Sequence, residues 1–351
     1  MTPDDLAIQP LLGAQRPASW TARRFTVLGM DLAWQGADEA LTAAAAQVLA
    51  SRATAVSSGL SLSILALRTP GTSMPSNLGL GAFAAEADGR AYHEAGGLLA
   101  ILTPSGSCTL ADLESGRISA FVNPEADLAA EAEALFGAPV WRFAARQGLV
   151  ACHAATVIAP SGKGLLLRAA GGGGKSTLAL AAWRKGLGLL AEEVTWIDLR
   201  TTPASPTLRG RPDQIHVAPD VLTAWDLAPV SDLADRADAQ PQGPVDTLTG
   251  KVRLALPEGD SRLVGSAMAG PVVFLARGEA AEAGCWRRIS TAEAHERWQA
   301  TAIAGEASQR ADGLSAALQA LLGRGAYVLG GDTPPRLAAR LLEMDHDWGT
   351  R

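Results

Sequence analysis

The glycine-rich segment of residues 171–177, GGGGKST, constrains the fold of this chain more than any other feature. It follows an apolar run at residues 164–167 and opens a stretch, residues 178–183, that is typical of a helix. Strand, glycine loop, Lys-Ser and helix in this order are typical of a phosphate-binding P-loop. In such a loop, backbone N–H groups and the positive end of the helix dipole face the phosphate oxygens. The sequence therefore predicts a nucleotide site.

Each part of this segment has a predicted role. The Lys175 ammonium would reach the β- and γ-phosphates, and the Ser176 hydroxyl would bind Mg²⁺. The alternative is a glycine-rich turn with a chance Gly-Lys-Ser, but the chain has only four lysines, which disfavours it. The predicted nucleotide-binding residues are Gly171, Gly172, Gly173, Gly174, Lys175, Ser176 and Thr177.

Composition excludes several functional classes. With 351 residues the chain is long enough for two domains, and 48% hydrophobic against 19% charged residues argues against global disorder. A net charge of −6 disfavours a nucleic-acid partner, which normally leaves a basic footprint. No apolar stretch approaches roughly 18 residues, so no membrane span is predicted. Three scattered cysteines and an acidic N-terminus without a signal-peptide pattern indicate the cytoplasm.

The pattern of apolar residues changes near residue 150. Residues 1–149 are predicted to form an N-terminal α+β domain, and residues 150–351 a second domain. In the first, we predict strands at 24–34, 60–67 and 97–103, and helices at 38–49, 126–135 and 140–147. In the second, we predict strands at 152–158, 164–168, 189–191, 194–199, 271–276 and 286–289, and helices at 175–185, 292–303, 314–322 and 336–344. Residues 229–250, rich in Pro, Asp and Gln, predict a long loop.

Two acidic residues, Glu192 and Glu193, end a short apolar strand downstream of the P-loop helix. At that position one carboxylate could face Mg²⁺ and the other could accept the proton of an attacking hydroxyl. A solvated Glu-Glu turn is the alternative. Upstream of the loop, His153 lies in a predicted strand, where a histidine standing alone is more often structural than catalytic.

Taken together, His153, the hairpin of residues 159–164, the P-loop and the acidic pair resemble the catalytic half of HPr kinase/phosphorylase and its relatives. That family has a histidine upstream of its P-loop serine and an Asp-Asp pair after the first helix. The resemblance spans about residues 150–345 and is strongest over 150–200. It implies an α/β fold of the HPr-kinase and phosphoenolpyruvate-carboxykinase type, preceded here by a smaller α+β domain.

The resemblance also implies roles for individual residues. Glu192 would be the general base, Glu193 the metal-binding carboxylate, and His153 a catalytic residue on the phosphate side. Two departures stand out: glutamates replace the aspartates of the family, and Ala169 replaces the first glycine of the loop. The chain is similar to diverged relatives near peptide-modification genes, including the companion kinases of lasso peptides, which phosphorylate a peptide serine.

The expected function is therefore phosphoryl transfer from ATP with Mg²⁺ to a hydroxyl, most simply a serine of a peptide or protein. A kinase of a free small-molecule alcohol and a non-catalytic nucleotide sensor remain open, as does a homo-oligomer. Arg209, Arg211 and Lys251 are candidate contacts to phosphate or substrate, with a structural or solvated role as the alternative for each. His216 has no metal-ligand spacing to the other histidines, and we expect it to be structural or exposed.

Overall fold

A computed structural model describes residues 19–50, 57–69, 83–86, 89–200, 206–212, 214–219, 221, 240–241, 250–257, 259–276, 286–302, 311–331 and 333–349. These residues form two compact units, one made of residues 19–50 and 57–147 and the other beginning at Gly148. Both units combine helices with a large sheet, so the chain is of the α/β class. Within the described part of the chain, no helix is both long and apolar enough to cross a membrane.

The first unit is built on one eight-stranded sheet. Its strands are β1 (Thr21–Val27), β2 (Met30–Gly36), β3 (Ser61–Arg68), β4 (Ala84–Ala85), β5 (Ala91–Ala95), β6 (Leu98–Leu102), β7 (Cys108–Asp112) and β8 (Arg117–Val122). They lie in the order β1-β2-β3-β8-β7-β6-β5-β4. The helices are α1 (Glu39–Leu49), α2 (Leu128–Ala132) and α3 (Ala138–Arg146), with a π-helical segment at Glu133–Gly137 between the last two.

The single strand predicted over residues 24–34 is wrong. The structure has a hairpin, in which β1 and β2 pair antiparallel around the two-residue turn Leu28-Gly29. Both turn residues have positive φ, 53° and 75°, which is the turn conformation that matches the twist of paired strands. Leu28 is an unusual residue there, and a buried leucine gives no turn signal in a sequence.

The two helices predicted at 126–135 and 140–147 form one continuous helical run. Pro139 lies in the first turn of α3, where its missing N–H costs little. Phe136 of the π-helical segment meets Trp34 of β2 edge to face, with ring centroids 5.1 Å apart. This run therefore packs on the sheet through large aromatic side chains.

The second unit contains the glycine loop. Its strands are β9 (Leu149–His153), β10 (Ala155–Ile158), β11 (Lys163–Arg168), β12 (Gly188–Ala191), β13 (Val194–Asp198), β14 (Thr207–Arg209), β15 (Gln214–Val217), β16 (Gln240–Pro241), β17 (Val252–Ala255), β18 (Ser266–Ala276), β19 (Trp286–Ile289) and β20 (Ala326–Gly330). Its helices are α4 (Lys175–Arg184), α5 (Thr291–Ala300), α6 (Ala311–Leu322) and α7 (Pro334–Gly349).

Nine of these strands form one sheet and three form a smaller one. The main path is β12-β10-β11-β18-β14-β13-β9, with β20 parallel to β18 and β19 antiparallel to β20. Successive residues of β11 point to opposite faces of this sheet: Leu165 and Leu167 join the core with α4 and α7, whereas Leu166 joins the core with α5 and α6. Helices thus cover both faces, as expected for a strand that reads as a continuous apolar run.

The strand predicted over 152–158 is two strands that meet at a corner. β9 ends at His153 and pairs with β13, whereas β10 begins at Ala155 and pairs with β11 and β12. The Thr195 hydroxyl donates to the Ala154 carbonyl at 3.0 Å and holds this corner. The other strands and helices predicted here are present, with ends shifted by a few residues, although Ile303 lies outside the described residues.

The small sheet, β15-β17-β16, was not predicted. It packs on α4 through Ile215, Val217, Leu254 and Leu256, all buried in the same core as that helix. Of the loop predicted at 229–250, only residues 240–241 and Gly250 are described, and the first two form β16.

Candidate functional site

The glycine loop connects β11 to α4, as the sequence predicts. Gly172 and Gly174 have φ of 72° and 92°, a backbone region that favours glycine. Gly173 donates its N–H to the Ala170 carbonyl at 2.9 Å, which closes the turn. Gly174 has no side chain to cap the first N–H groups of α4, so these donors face the loop.

Ala169, which stands where P-loops usually have their first glycine, is accommodated by Gly173. A Cβ added at Gly173 would lie 2.4 Å from the Ala169 methyl carbon, closer than real side chains approach. Ala169 itself is buried and does not have positive φ. The loop therefore holds alanine at 169 without a left-handed backbone, and the glycine requirement falls on residue 173 instead.

Lys175 is folded onto the loop. Its Nζ donates to the carbonyls of Ala169 at 2.9 Å and Ala170 at 3.5 Å, and the residue is 7% exposed. Burial lowers the pKa of this ammonium below its usual range, and repulsion from Arg168 and Lys251 lowers it further, against the attraction of nearby Glu192 and Glu193. A buried ammonium that donates its hydrogen bonds to two backbone carbonyls is suited to exchange them for an anion.

Ser176, in the first turn of α4, donates its hydroxyl hydrogen to Oε1 of Glu192 in a short hydrogen bond. Glu192 lies at the corner between β12 and β13 and is 5% exposed. Its other oxygen, Oε2, lies 3.1 Å from Nδ1 of His216. The predicted P-loop serine and the predicted acidic pair are thus brought together, but through Glu192 and not through Glu193, which is exposed.

These side chains form a set of donors suited to a divalent cation. One ligand atom each from Glu192, Glu193 and His216 lie within 4.8 Å of one another. Together with the Ser176 hydroxyl they offer carboxylate and hydroxyl oxygens and one imidazole nitrogen. Carboxylate and hydroxyl oxygens fit Mg²⁺, the ion expected at this position, and the residues present therefore fit the group.

His153 lies at the same corner of the sheet. It ends β9, where it is paired in register with Val194, the residue that follows Glu193. The side chain is half-buried. The structure thus brings His153 beside the acidic pair, and its catalytic role remains a prediction.

Sequence reasoning missed His216. It lies on β15 between Ile215 and Val217, which are buried against α4, so its own side chain points to the other face of the strand. That face meets Glu192. The alternation of residues 214–217 is the one sequence signal of this placement, and four residues are too few to rely on.

The predicted substrate contacts separate into different environments. Arg209 is 1% exposed, and its Nε donates to the buried Asp198 at 2.9 Å, so it has a structural partner. Although burial opposes it, hydrogen bonds from Arg200 and Arg209 hold the pKa of Asp198 below its usual range. Lys251 immediately precedes β17, on which Arg253 lies opposite His216 in the register of the small sheet.

Arg211 is still a candidate contact to phosphate or substrate, because the preceding Gly210 packs on the end of β12. A Cβ added at Gly210 would lie 2.2 Å from the Leu190 carbonyl oxygen, so the backbone approaches that strand closely. Ala191, the last residue of β12, directly precedes Glu192. Arg211 therefore follows a turn that is seated next to the acidic pair.

The other end of the loop is anchored by Arg168, the last residue of β11 and fully buried. Its guanidinium donates to the Cys152 sulfur at 2.9 Å and to the Thr301 hydroxyl at 3.2 Å. Its Cζ lies 3.9 Å above the Trp298 ring of α5. These contacts tie the start of the loop to β9 and α5.

Comparison with known proteins adds one finding. No protein-family model matches the chain. No curated protein matches it. Among solved structures, the Hpr(Ser) kinase/phosphatase from Coxiella burnetii matches at 14% sequence identity and a TM-score of 0.30, covering 57% of this chain and 97% of that chain. A likeness at this level carries no functional conclusion.

Proposed function

We propose that this protein transfers the γ-phosphoryl group of ATP, bound with Mg²⁺, to a hydroxyl group. One observation carries the proposal: a glycine loop between β11 and α4 ends in Lys175 and Ser176, and the serine meets a buried carboxylate, Glu192. A glycine-rich turn of structural origin has no need of a buried lysine and a buried glutamate at its end. A P-loop uses a lysine to hold the phosphates and a carboxylate near its serine to hold Mg²⁺.

The loop would bind the phosphates through its backbone and one side chain. The N–H groups at the start of α4 and around Gly172 and Gly174 would donate to phosphate oxygens. The Lys175 ammonium would move from the carbonyls of Ala169 and Ala170 to the β- and γ-phosphates. Such fixed donors stabilise the charge that spreads over the transferring phosphoryl group.

The contact of Ser176 with Glu192 favours a particular division of the acidic pair. The resemblance assigns the metal to Glu193 and the base to Glu192, whereas this contact supports the reverse. We assign Mg²⁺ to the Ser176 hydroxyl and Glu192, where the ion would neutralise phosphate charge. Glu193 is exposed and would accept the proton of the acceptor hydroxyl. The oxygen of that hydroxyl would bond to the γ-phosphorus while ADP leaves with the electrons of the broken P–O bond.

For the acceptor we propose a serine of a peptide or protein. Glu193 and Arg253 are both exposed, so the acceptor side of the site is open to solvent. Small-molecule sites are usually closed and largely preformed, which disfavours a free alcohol here. His153 and Arg211 border the same corner and would contact the acceptor or the phosphates.

The test is product formation by the full chain. Purified protein is incubated with ATP, Mg²⁺ and a panel of serine-containing peptides, and mass spectrometry records the gain of one phosphate. Free serine and other small alcohols form the comparison panel. We expect phosphopeptide; phosphorylation of small alcohols alone would favour the small-molecule kinase, and nucleotide binding without any product would favour the sensor.

Lys175→Ala supplies the mutational arm of this test. Loss of the cation removes stabilisation of the transition state, so we expect the rate to fall by about 10² or more. Lys185→Ala is the matched control, because Lys185 is exposed at the end of α4 and should leave the rate unchanged. Equal activity in both variants would rule out the P-loop assignment.

A further inference from the structure

The proposed phosphoryl transfer leaves His216 without a role. The position of the His216 side chain is set by the packing of its strand. Ile215 and Val217 on either side of it are buried in the core with α4, which fixes β15 against the P-loop helix. The imidazole is thereby held on the opposite face of the strand, 3.1 Å from Oε2 of Glu192.

Because the Glu192 carboxylate is buried, a positive charge beside it would stabilise its ionised form. This carboxylate is 5% exposed, and taking an ionised carboxylate out of water is costly unless it is compensated. One of its oxygens is occupied by the Ser176 hydroxyl and the other faces Nδ1 of His216. One oxygen each of Glu192 and Glu193 and a ring nitrogen of His216 lie within 4.8 Å of one another, a spacing that one ion can bridge.

The kind of donor matters for the kind of ion. Mg²⁺ takes oxygen ligands almost exclusively and gives up its bound water reluctantly, so an imidazole nitrogen at this position adds little to Mg²⁺ affinity. Mn²⁺ binds carboxylate oxygens as Mg²⁺ does and, as a first-row transition-metal ion, also forms bonds to nitrogen ligands. A set of two carboxylates, one hydroxyl and one imidazole is therefore a better match for Mn²⁺ than the all-oxygen set predicted from the sequence.

We propose that Nδ1 of His216 is a direct ligand of the divalent ion at the P-loop and that this nitrogen makes the site prefer Mn²⁺ to Mg²⁺. The inference rests on the proposed function, in which a divalent ion accompanies the nucleotide phosphates. The competing explanation is that His216 only pairs with Glu192, as a structural ion pair would.

The experiment uses the full chain with Mn²⁺ alone, so that no nitrogen of a nucleotide can contribute. Pulsed electron paramagnetic resonance of the bound ion should show coupling to a directly bound ¹⁴N nucleus. Titration should give tighter binding of Mn²⁺ than of Mg²⁺. In His216→Ala the ¹⁴N coupling should disappear, and Mn²⁺ affinity should fall about tenfold or more, with a smaller change for Mg²⁺.

Two further variants keep the result unambiguous. His216→Gln keeps the size of the side chain and offers an amide oxygen, so it should retain a bound ion but lose the ¹⁴N coupling and the Mn²⁺ preference. His153→Ala removes the other imidazole near the acidic pair and should keep the coupling. Circular dichroism of each variant establishes that it is folded.

Several results would overturn the inference: no binding of Mn²⁺, no ¹⁴N coupling in the unsubstituted protein, coupling that persists in His216→Ala, or coupling that is lost in His153→Ala instead. These results are separable from the proposed function. Phosphoryl transfer without ¹⁴N coupling refutes the His216 ligand alone, whereas coupling without any transfer supports the metal site and refutes the kinase.

Discussion

At the scale of single residues, Gly171 and Gly173 lie two positions apart in the same loop, yet only Gly173 has a steric role. An alanine at Gly173 would place its Cβ 2.4 Å from the Ala169 methyl carbon and 2.8 Å from the Ala170 carbonyl oxygen. At Gly171 no such atom lies within 4 Å, and the backbone does not have positive φ. The two positions therefore form a matched pair for substitution.

We expect Gly173→Ala to lower the free energy of unfolding by about 1–3 kcal/mol, the usual cost of forcing extra atoms into a packed place. Gly171→Ala should stay within about 0.5 kcal/mol, as surface substitutions do. Denaturant unfolding without nucleotide measures both. Equal losses in the two variants would mean that the loop does not have the described packing.

Glu192 and Glu193 are neighbours in sequence and differ in environment, so their amide variants should fail in different ways. Glu192→Gln keeps a hydrogen-bond acceptor for Ser176 but removes the charge, and we expect the Mg²⁺ concentration needed for activity to rise. Glu193→Gln removes an exposed base, and we expect the chemical step to slow by about 10² or more with nucleotide binding retained. The measurements are Mg²⁺ titrations and single-turnover rates.

The opposite pattern, with a slower chemical step in Glu192→Gln and a higher Mg²⁺ requirement in Glu193→Gln, would restore the roles implied by the family resemblance. If both variants resembled the unsubstituted protein, the pair would be a solvated turn. These outcomes separate three assignments that sequence reasoning alone leaves open.

At the scale of elements, the small sheet β15-β17-β16 is the part of the site that depends most on packing. Its docking on α4 places His216 beside Glu192 and Lys251 near Lys175, where the charge of Lys251 adds to the effects of burial and of Arg168 in lowering the pKa of the Lys175 ammonium. Leu254 on β17 is 3% exposed and belongs to the core that holds this sheet. Weakening this contact should therefore affect stability and the site together.

We expect Leu254→Ala to cost about 2–5 kcal/mol in the free energy of unfolding, because it removes buried methyl groups and leaves a cavity. Leu98→Ala is the matched control, since Leu98 is 38% exposed on β6 and should cost far less. Denaturant unfolding gives both values, and nucleotide titration of Leu254→Ala should show weaker binding. A loss no larger than that of Leu98→Ala would contradict the described core.

At the scale of the whole molecule, the described residues form two compact units, and the proposed site is built entirely from the second. Every residue assigned to phosphate, metal or acceptor lies beyond Gly148. The first unit has its own core, with Trp34 and Phe136 in edge-to-face contact. The site does not need the first unit for any of its side chains.

Hydrogen exchange measures this directly. We expect ATP with a divalent ion to raise protection in the loop at residues 169–177, in the start of α4 and in β15, since binding stabilises the segments that contact the ligand. Residues 57–147 should exchange as in the free protein. Strong new protection in β6, β7 or β8 on addition of nucleotide would show that the first unit takes part in binding.

Local segments of the fold could be predicted from the sequence. The junction β11–loop–α4 was predicted because an apolar run, consecutive glycines and a helical period each determine the conformation of their own neighbours. The hairpin at Leu28-Gly29 was missed because a leucine with φ of 53° gives no turn signal. The corner at Ala154 was missed because a hydrogen bond from Thr195, distant in sequence, creates it.

Neighbouring residues are enough to specify that a glycine loop with Lys175 and Ser176 joins a buried strand to a helix, because those conformations are local. The contact of Ser176 with Glu192, and the approach of His216 to the same carboxylate, depend on the folded arrangement and could not be read from the sequence. Ser176 lies on α4, Glu192 lies at the corner between β12 and β13, and His216 lies on β15. Their distances depend on how α4, the main sheet and the small sheet pack through shared apolar cores, and such packing has no signature in the spacing of residues along the chain.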